Sequence, residues 1–227
     1  SAYEKSRAVT VSAPPKTVMA KWAYTDFGPA GKVVKREHVA DLDATLITFE
    51  NGVRLNLKKT DFEANRIRVN MRIGSGQLAE PREQPGLAAY AGRTFTEGGL
   101  GRHSVDDLRA ILAGRTVGAG FSTGGDAFGL AGGTNREDLR LQMQLLAARI
   151  TDPGYRPEAA RQALKWIDQM YRSFAHTSGG PFTLVVAKLI SGGDHRFGLP
   201  PKEEMLKRNL DEVRAWLTPQ LTHGAIE

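Results

Sequence analysis

The amino-acid sequence reads as an α+β protein of two layers, a mixed and mostly antiparallel sheet packed on helices. Alternating strands crowd the segment from Leu46 to Ile73, helical stripes take over from Val105, and one glycine-rich hairpin separates the helices. At 227 residues and 41% hydrophobic, the chain is long enough to bury a core without disulfides or metals.

Residues 1–43 are rich in Pro, Ala and charge, with Pro14-Pro15 and the turn-forming run Asp26-Phe27-Gly28-Pro29-Ala30-Gly31. They read as an extended linker or arm preceding a domain of residues 44–227. Trp22, Tyr24 and Phe27 interrupt that polarity, and because large rings are seldom left in water the arm is expected to lie against the domain.

Ile47 and Phe49 lead into Asn51-Gly52, after which Val53, Leu55 and Leu57 alternate with Arg54, Asn56 and Lys58. Asn-Gly tolerates the positive φ angles of a tight primed turn, so this stretch predicts a hairpin. The next strand is clearer: Ile67, Val69, Met71 and Ile73 alternate against Arg66, Arg68, Asn70 and Arg72. If these strands pair, Arg54, Lys58, Arg66, Arg68 and Arg72 share one side of a sheet. Such a face is either a solvated surface or a wall that meets a ligand.

Ser104 with Asp107 forms a capping box, and Val105, Leu108, Ile111 and Leu112 supply the apolar stripe of the helix behind it. Thr116 to Thr134, with Gly pairs at 124–125 and 132–133, reads as a glycine-rich hairpin. Thr134 and Glu137 repeat the capping-box spacing ahead of Leu139, Met143, Leu146 and Ile150. Pro157 suits a first helical turn, and Ala160, Leu164, Ile167, Tyr171 and Phe174 would lie on one face of the helix it opens. Shorter helices are expected near Phe182–Ile190 and Asp211–Leu217. There is no internal repeat.

Several chemistries find no support. No apolar run approaches the ~18 residues a membrane-spanning helix needs, and the first residues carry no basic-then-apolar leader. With Ser1 in place of Met and the last residues resembling the entry to a strand, the chain is expected to be a piece of something longer. The absence of Cys leaves the redox compartment open. The net charge of +6 is scattered and only 7% of residues are aromatic, so there is no nucleic-acid platform.

Gly120 to Gly125 has P-loop spacing, but Asp126 stands where Lys must reach phosphate; Gly118-Ala119-Gly120 has Thr123 at the third dinucleotide-binding position. No two of His38, His103, His176, His195 and His223 stand four residues apart as a helical metal pair would, and each reads as a surface or loop histidine. Ser104 near His103 lacks a nucleophile elbow and is better explained as a cap. Glu97, beside Gly98-Gly99, reads as a helix-end residue or a buried acid.

The stretch PGLAAYAGRTFTEGGLG, Pro85 to Gly101, has between Leu87 and Thr94 no side chain able to bind a metal or move a proton at neutral pH. With its surroundings it resembles the active-site helix of the insulinase or pitrilysin family of zinc metallopeptidases. That family's inverted motif is Gly-x-x-His-x-x-Glu-His followed by a Gly-containing turn. Pro85-Gly86-Leu87-Ala88 matches the approach and Gly98-Gly99 the turn. FENGVRLNLKKTDFEANRIRVNMRIGSG, Phe49 to Gly76, resembles the opening strands, and ARITDPGYRPEAARQALKWIDQM the later helix that brings the third zinc ligand.

The ligands do not carry over. Ala89 stands for the first His, Gly92 for the general-base Glu and Arg93 for the second His, while the third-ligand region offers Lys165, Trp166, Ile167 and Asp168. In the family two imidazoles and a distant Glu hold zinc and the motif Glu takes a proton from its water, which Ala, Gly and Arg cannot do.

The resemblance therefore implies the first domain of an inactive C-terminal half, with the pitrilysin or mitochondrial-processing-peptidase-like fold and residues 1–43 as the connector between halves. It implies no catalytic residue and no metal here, and zinc in the catalytic half of the parent protein. The two halves would close on a peptide or small unfolded protein, with Arg66, Arg68 and Arg72 as substrate contacts, and neither nucleic acid nor membrane as partner. The alternative is a degenerate scaffold paired with a catalytic subunit. Family resemblance also favours a periplasmic location.

Overall fold

The structure, a computed structural model, describes residues 20–227. Pro14-Pro15 and the start of the expected arm lie outside the described residues. Among the rest, six strands form two three-stranded antiparallel sheets, followed and interleaved by helices.

The first sheet has the order β1-β2-β3, formed by Val33–Val39, Ala44–Phe49 and Arg54–Lys58. β1 falls within the stretch read as an arm. It gave no alternating signal because no residue of it is buried, so nothing selects an apolar face. The Asn51-Gly52 hairpin forms, with a different turn from the expected primed one. Phe49 donates to Val53 O at 2.8 Å around three loop residues, of which Gly52 alone takes a positive φ, 84°, while the Asn51 side chain accepts from Val53 N–H. A three-residue loop closing on one left-handed Gly needs no positive φ at Asn51.

The second sheet has the order β4-β6-β5, formed by Ile67–Ile73, Phe128–Thr134 and Gly120–Thr123. The β5–β6 hairpin is the expected glycine-rich one, and β6 is central because β4 pairs along its other edge from Ile67↔Thr134 to Ile73↔Phe128. β3 and β4 do not pair with each other, contrary to the expectation of one shared basic face. Between them run Ala225–Glu227: Arg54 N–H donates to Ile226 O at 2.9 Å, Arg72 and Glu227 exchange N–H···O bonds of 2.7 and 3.0 Å, and Gly74 N–H donates to Ala225 O.

The helices are α1 (Leu87–Thr94), α2 (Val105–Ile111), α3 (Leu139–Thr151), α4 (Pro157–Ala175), α5 (Ala187–Ile190, entered through a π-helical turn at Phe182–Val186), α6 (Lys202–Met205) and α7 (Leu210–His223). The Ser104–Asp107 capping box on α2 is present in both directions, and Asn209 with Glu212 forms another on α7. Thr134 does not cap α3. It ends β6, and Asn135 Oδ1 accepts from Asp138 N–H one residue before the helix begins. On α4 the buried stripe is Ala159, Ala163 and Ile167, one position away from Ala160 and Leu164, and Leu164 is 44% exposed.

One face of the second sheet and the helices enclose the main core: Ile73, Phe128 and Leu130 from the strands meet Leu87, Tyr90, Phe95, Leu146, Ile167, Met205 and Leu217. Burying each of the larger aliphatic side chains stabilises by roughly 1.5–3 kcal/mol before entropy is counted. A smaller cluster of Leu100, Leu108, Leu145 and Ala148 closes over Tyr24, with Trp22 beside it, so this part of the arm does lie against the domain.

Candidate functional site

The site to test is the outer face of α1 and what it confronts on α4. Gly86 starts the helix at φ 85°, and a Cβ there would sit 2.7 Å from Met205 Sδ and 2.9 Å from Pro200. The Glu80 carboxylate accepts the free Ala88 N–H at 2.9 Å, which satisfies a donor at the helix start. Burial raises the pKa of Glu80, the bond from Ala88 opposing that shift. Leu87, Ala88, Tyr90, Ala91 and Thr94 turn into the core. Ala89, Gly92 and Arg93 are left on the outward side, a methyl group, a bare Cα and a guanidinium.

Arg93 lies over the Trp166 ring of α4, its guanidinium carbon 5.9 Å from the ring centroid. Ile167 is fully buried, and Asp168 is engaged by Lys202 Nζ at 2.6 Å and by Arg172, which hold its carboxyl below the ordinary range. Among the described residues no three His, Cys, Asp or Glu side chains gather as metal ligands. The donors on this face do not fit a zinc ion, because neither Ala nor Gly offers a lone pair and a fixed positive charge opposes a divalent cation.

Behind the helix, the Gly98–Gly101 turn is built by two arginines that sequence reasoning passed over. Arg149 donates to Thr96 O at 3.0 Å and Gly99 O at 2.8 Å; burial pulls its pKa down to about 10, with Glu97 opposing. Arg156 donates to Gly98 O and Gly101 O, both at 2.9 Å, and to Leu100 O. A Cβ on Gly98 would sit 2.9 Å from Tyr155 N. Glu97 is half-buried in the turn, three residues past the end of α1.

His103 is not a surface histidine. It is 3% exposed, its ring stacks on Trp22, and its Nε2 accepts the Ala23 N–H at 3.0 Å. The proton of the neutral ring therefore sits on Nδ1, and burial lowers its pKa. Beside it Tyr24 donates to Asp152 at 2.6 Å and accepts from Arg102 N–H.

Of the expected substrate contacts, Arg66 and Arg68 share Glu63, at 3.0 and 2.8 Å, and line an open cleft of about 810 Å³ with Lys58, Lys59, Phe62 and Arg136. Arg72 lies at the other end of β4, paired with Asp126 at 2.9 Å. Arg54 belongs to the first sheet and binds Glu227.

No protein-family model matches the chain. It is 26% identical over 151 residues to the probable zinc protease PqqL of Escherichia coli, a match that covers 63% of this chain and 16% of that protein. The solved structure of the periplasmic protease PqqL from Escherichia coli superposes with a TM-score of 0.77 at 19% identity, over 99% of this chain and 25% of that one. A structure of the first half of the same protease gives 0.59 at 12% identity, over 81% of this chain and 41% of that one. The ferredoxin protease FusC, solved with Arabidopsis ferredoxin, gives 0.71 at 15% identity, over 98% of this chain and 25% of that one. The chain thus spans about a quarter or less of the whole proteases it resembles.

Proposed function

Taking as premise that the chain is homologous to part of a zinc protease and has the insulinase-type fold, we propose that it is a non-catalytic domain of a longer zinc-dependent metallopeptidase. In this reading it forms part of the chamber that encloses a peptide, while hydrolysis occurs in the other half of the parent. The observation that carries it is the outer face of α1, where Ala89, Gly92 and Arg93 leave no group able to hold zinc or to accept a proton from water.

A place in the second half of the parent is supported by the fit to the whole relative exceeding the fit to its first half, since the better-matching segment then lies beyond that half. The part of the arm ahead of β1 would be the connector that leads into it, since β1 itself pairs with β2. The parent's substrate would be a peptide or small protein, its compartment the periplasm, and its zinc would reside in the catalytic half. Arg66, Arg68 and Arg72 would meet acidic segments of the substrate.

The test is peptide cleavage and zinc content of the full-length protein beside this chain alone. The expected result is activity with zinc in the former and neither in the latter. Stoichiometric zinc in the isolated chain, or proteolysis by it, would overturn the proposal.

A further inference from the structure

Asn51 and Gly52 stand exposed at the tip of the β2–β3 hairpin, and the chemistry this pair permits is independent of any metal or substrate. Asn51 Oδ1 accepts the Val53 N–H at 3.2 Å, which folds the side-chain amide back over its own peptide bond to Gly52. Gly52 takes φ 84°, and a Cβ there would meet nothing within 4 Å, so the tip lies in open space. The other asparagines, Asn56, Asn65, Asn70, Asn135 and Asn209, precede Leu, Arg or Met, whose Cβ crowds an attack by the following nitrogen.

We propose that Asn51 is a self-modification site: in the folded protein the Gly52 nitrogen closes on Asn51 Cγ to form a cyclic imide, and hydrolysis converts Asn51 to Asp or iso-aspartate. A base in solvent takes the Gly52 N–H proton, and the bond from that nitrogen to Cγ forms. The carbonyl electron pair moves onto Oδ1, where the Val53 N–H stabilises the developing negative charge. The Cγ–Nδ2 bond then breaks, and Nδ2 takes a proton from water and leaves as ammonia. Water next opens the imide. Opening at Cγ restores the ordinary main chain with a carboxylate side chain, while opening at the main-chain carbonyl routes the chain through Cγ. The net change consumes a water and releases an ammonia.

One contact opposes the first step. Gly52 N–H donates to Phe49 O at 2.9 Å and must leave that carbonyl before it can react. The sheet that holds the hairpin has no buried residue in its strands, so the tip opens without disturbing the core. Either product carries a new carboxylate next to Glu50, whose partner is Lys32 at 2.8 Å. In the iso-aspartyl product an extra backbone atom enters the loop closed by the Phe49 N–H bond to Val53 O, and that bond is lost.

The experiment holds the protein at neutral pH and physiological temperature, folded and in denaturing urea, separates the products by ion exchange and locates them by peptide mass spectrometry. In the folded protein Asn51 should convert at least about tenfold faster than any other Asn of the chain, and no more than about tenfold slower than in urea. Gly52→Ala should slow conversion by about tenfold or more, since it places a Cβ beside the attacking nitrogen. Conversion confined to urea, or equal rates for Gly52→Ala and the parent, overturns the proposal. In the iso-aspartyl fraction the Phe49 N–H should lose its protection against amide exchange. Protection retained there overturns the predicted change in the hairpin.

Discussion

The guanidinium of Arg93 lies over the ring of Trp166, so a cation–π contact ties the outer face of α1 to α4. Replacing Arg93 with Ala should lower stability by about 0.5 to 1 kcal/mol and alter Trp166 fluorescence, as read in urea unfolding. No change in either would show the two side chains to be neighbours without coupling.

Gly98→Ala is expected to be far worse than its size suggests. The added methyl meets the Tyr155 backbone at 2.9 Å, where no side chain can swing aside, and a loss of ~2 kcal/mol or more follows. Gly125→Ala, whose Cβ would meet nothing within 4 Å, is the control and should be close to neutral. Equal midpoints for the two variants would contradict this account of the turn.

The arm should be sensitive to acid. His103 accepts a backbone N–H from Ala23 and its pKa is lowered in the folded chain, so below about pH 6.5 the unfolded chain binds a proton that the folded one resists. Stability contributed here is full above that pH and falls as pH drops toward the folded value. Asp107 on α2 favours the charged ring, while Arg156 and Arg102 oppose it. Trp22 fluorescence should report release of the arm on acidification, and His103→Ala should abolish that pH dependence.

Glu80 has the opposite sign. Burial raises its pKa, so its contribution is greatest at low pH and is lost as pH rises through the folded value. Glu80→Gln keeps an acceptor for Ala88 N–H and should equal or exceed the parent in stability at pH 7, whereas Glu80→Ala loses the helix cap and about 1 kcal/mol. Thermal unfolding across pH separates the two.

Changing Arg66, Arg68 and Arg72 together to Gln in the full-length protein should weaken binding of acidic peptides and flatten its salt dependence. The unfolding midpoint should hold, because their pairs with Glu63 and Asp126 are exposed. Unaltered affinity and salt slope would remove these residues from substrate contact.

The two-layer class, the β4 strand, the β5–β6 hairpin and the two-way cap on α2 could be read from local chemistry, since period two and capping spacing are visible within a few residues. β1 was not legible, because a strand exposed throughout leaves no alternation. Nor was the burial of His103, whose partners Trp22 and Ala23 lie about eighty residues earlier in the chain. Arg149 and Arg156 sit among other helical charges, and only the folded chain shows which carbonyls they reach. The separation of β3 from β4 was hidden for the same reason: the residues between them come from the far end of the sequence.

Arg149 and Arg156 together engage the carbonyls of Thr96, Gly98, Gly99, Leu100 and Gly101. The shape of this corner is therefore specified by main-chain oxygens and two guanidinium clamps, with no bond from Ala89, Gly92 or Arg93 among them. The bend and the outer face of the helix before it are set by separate atoms, so either can change in sequence without dictating the other.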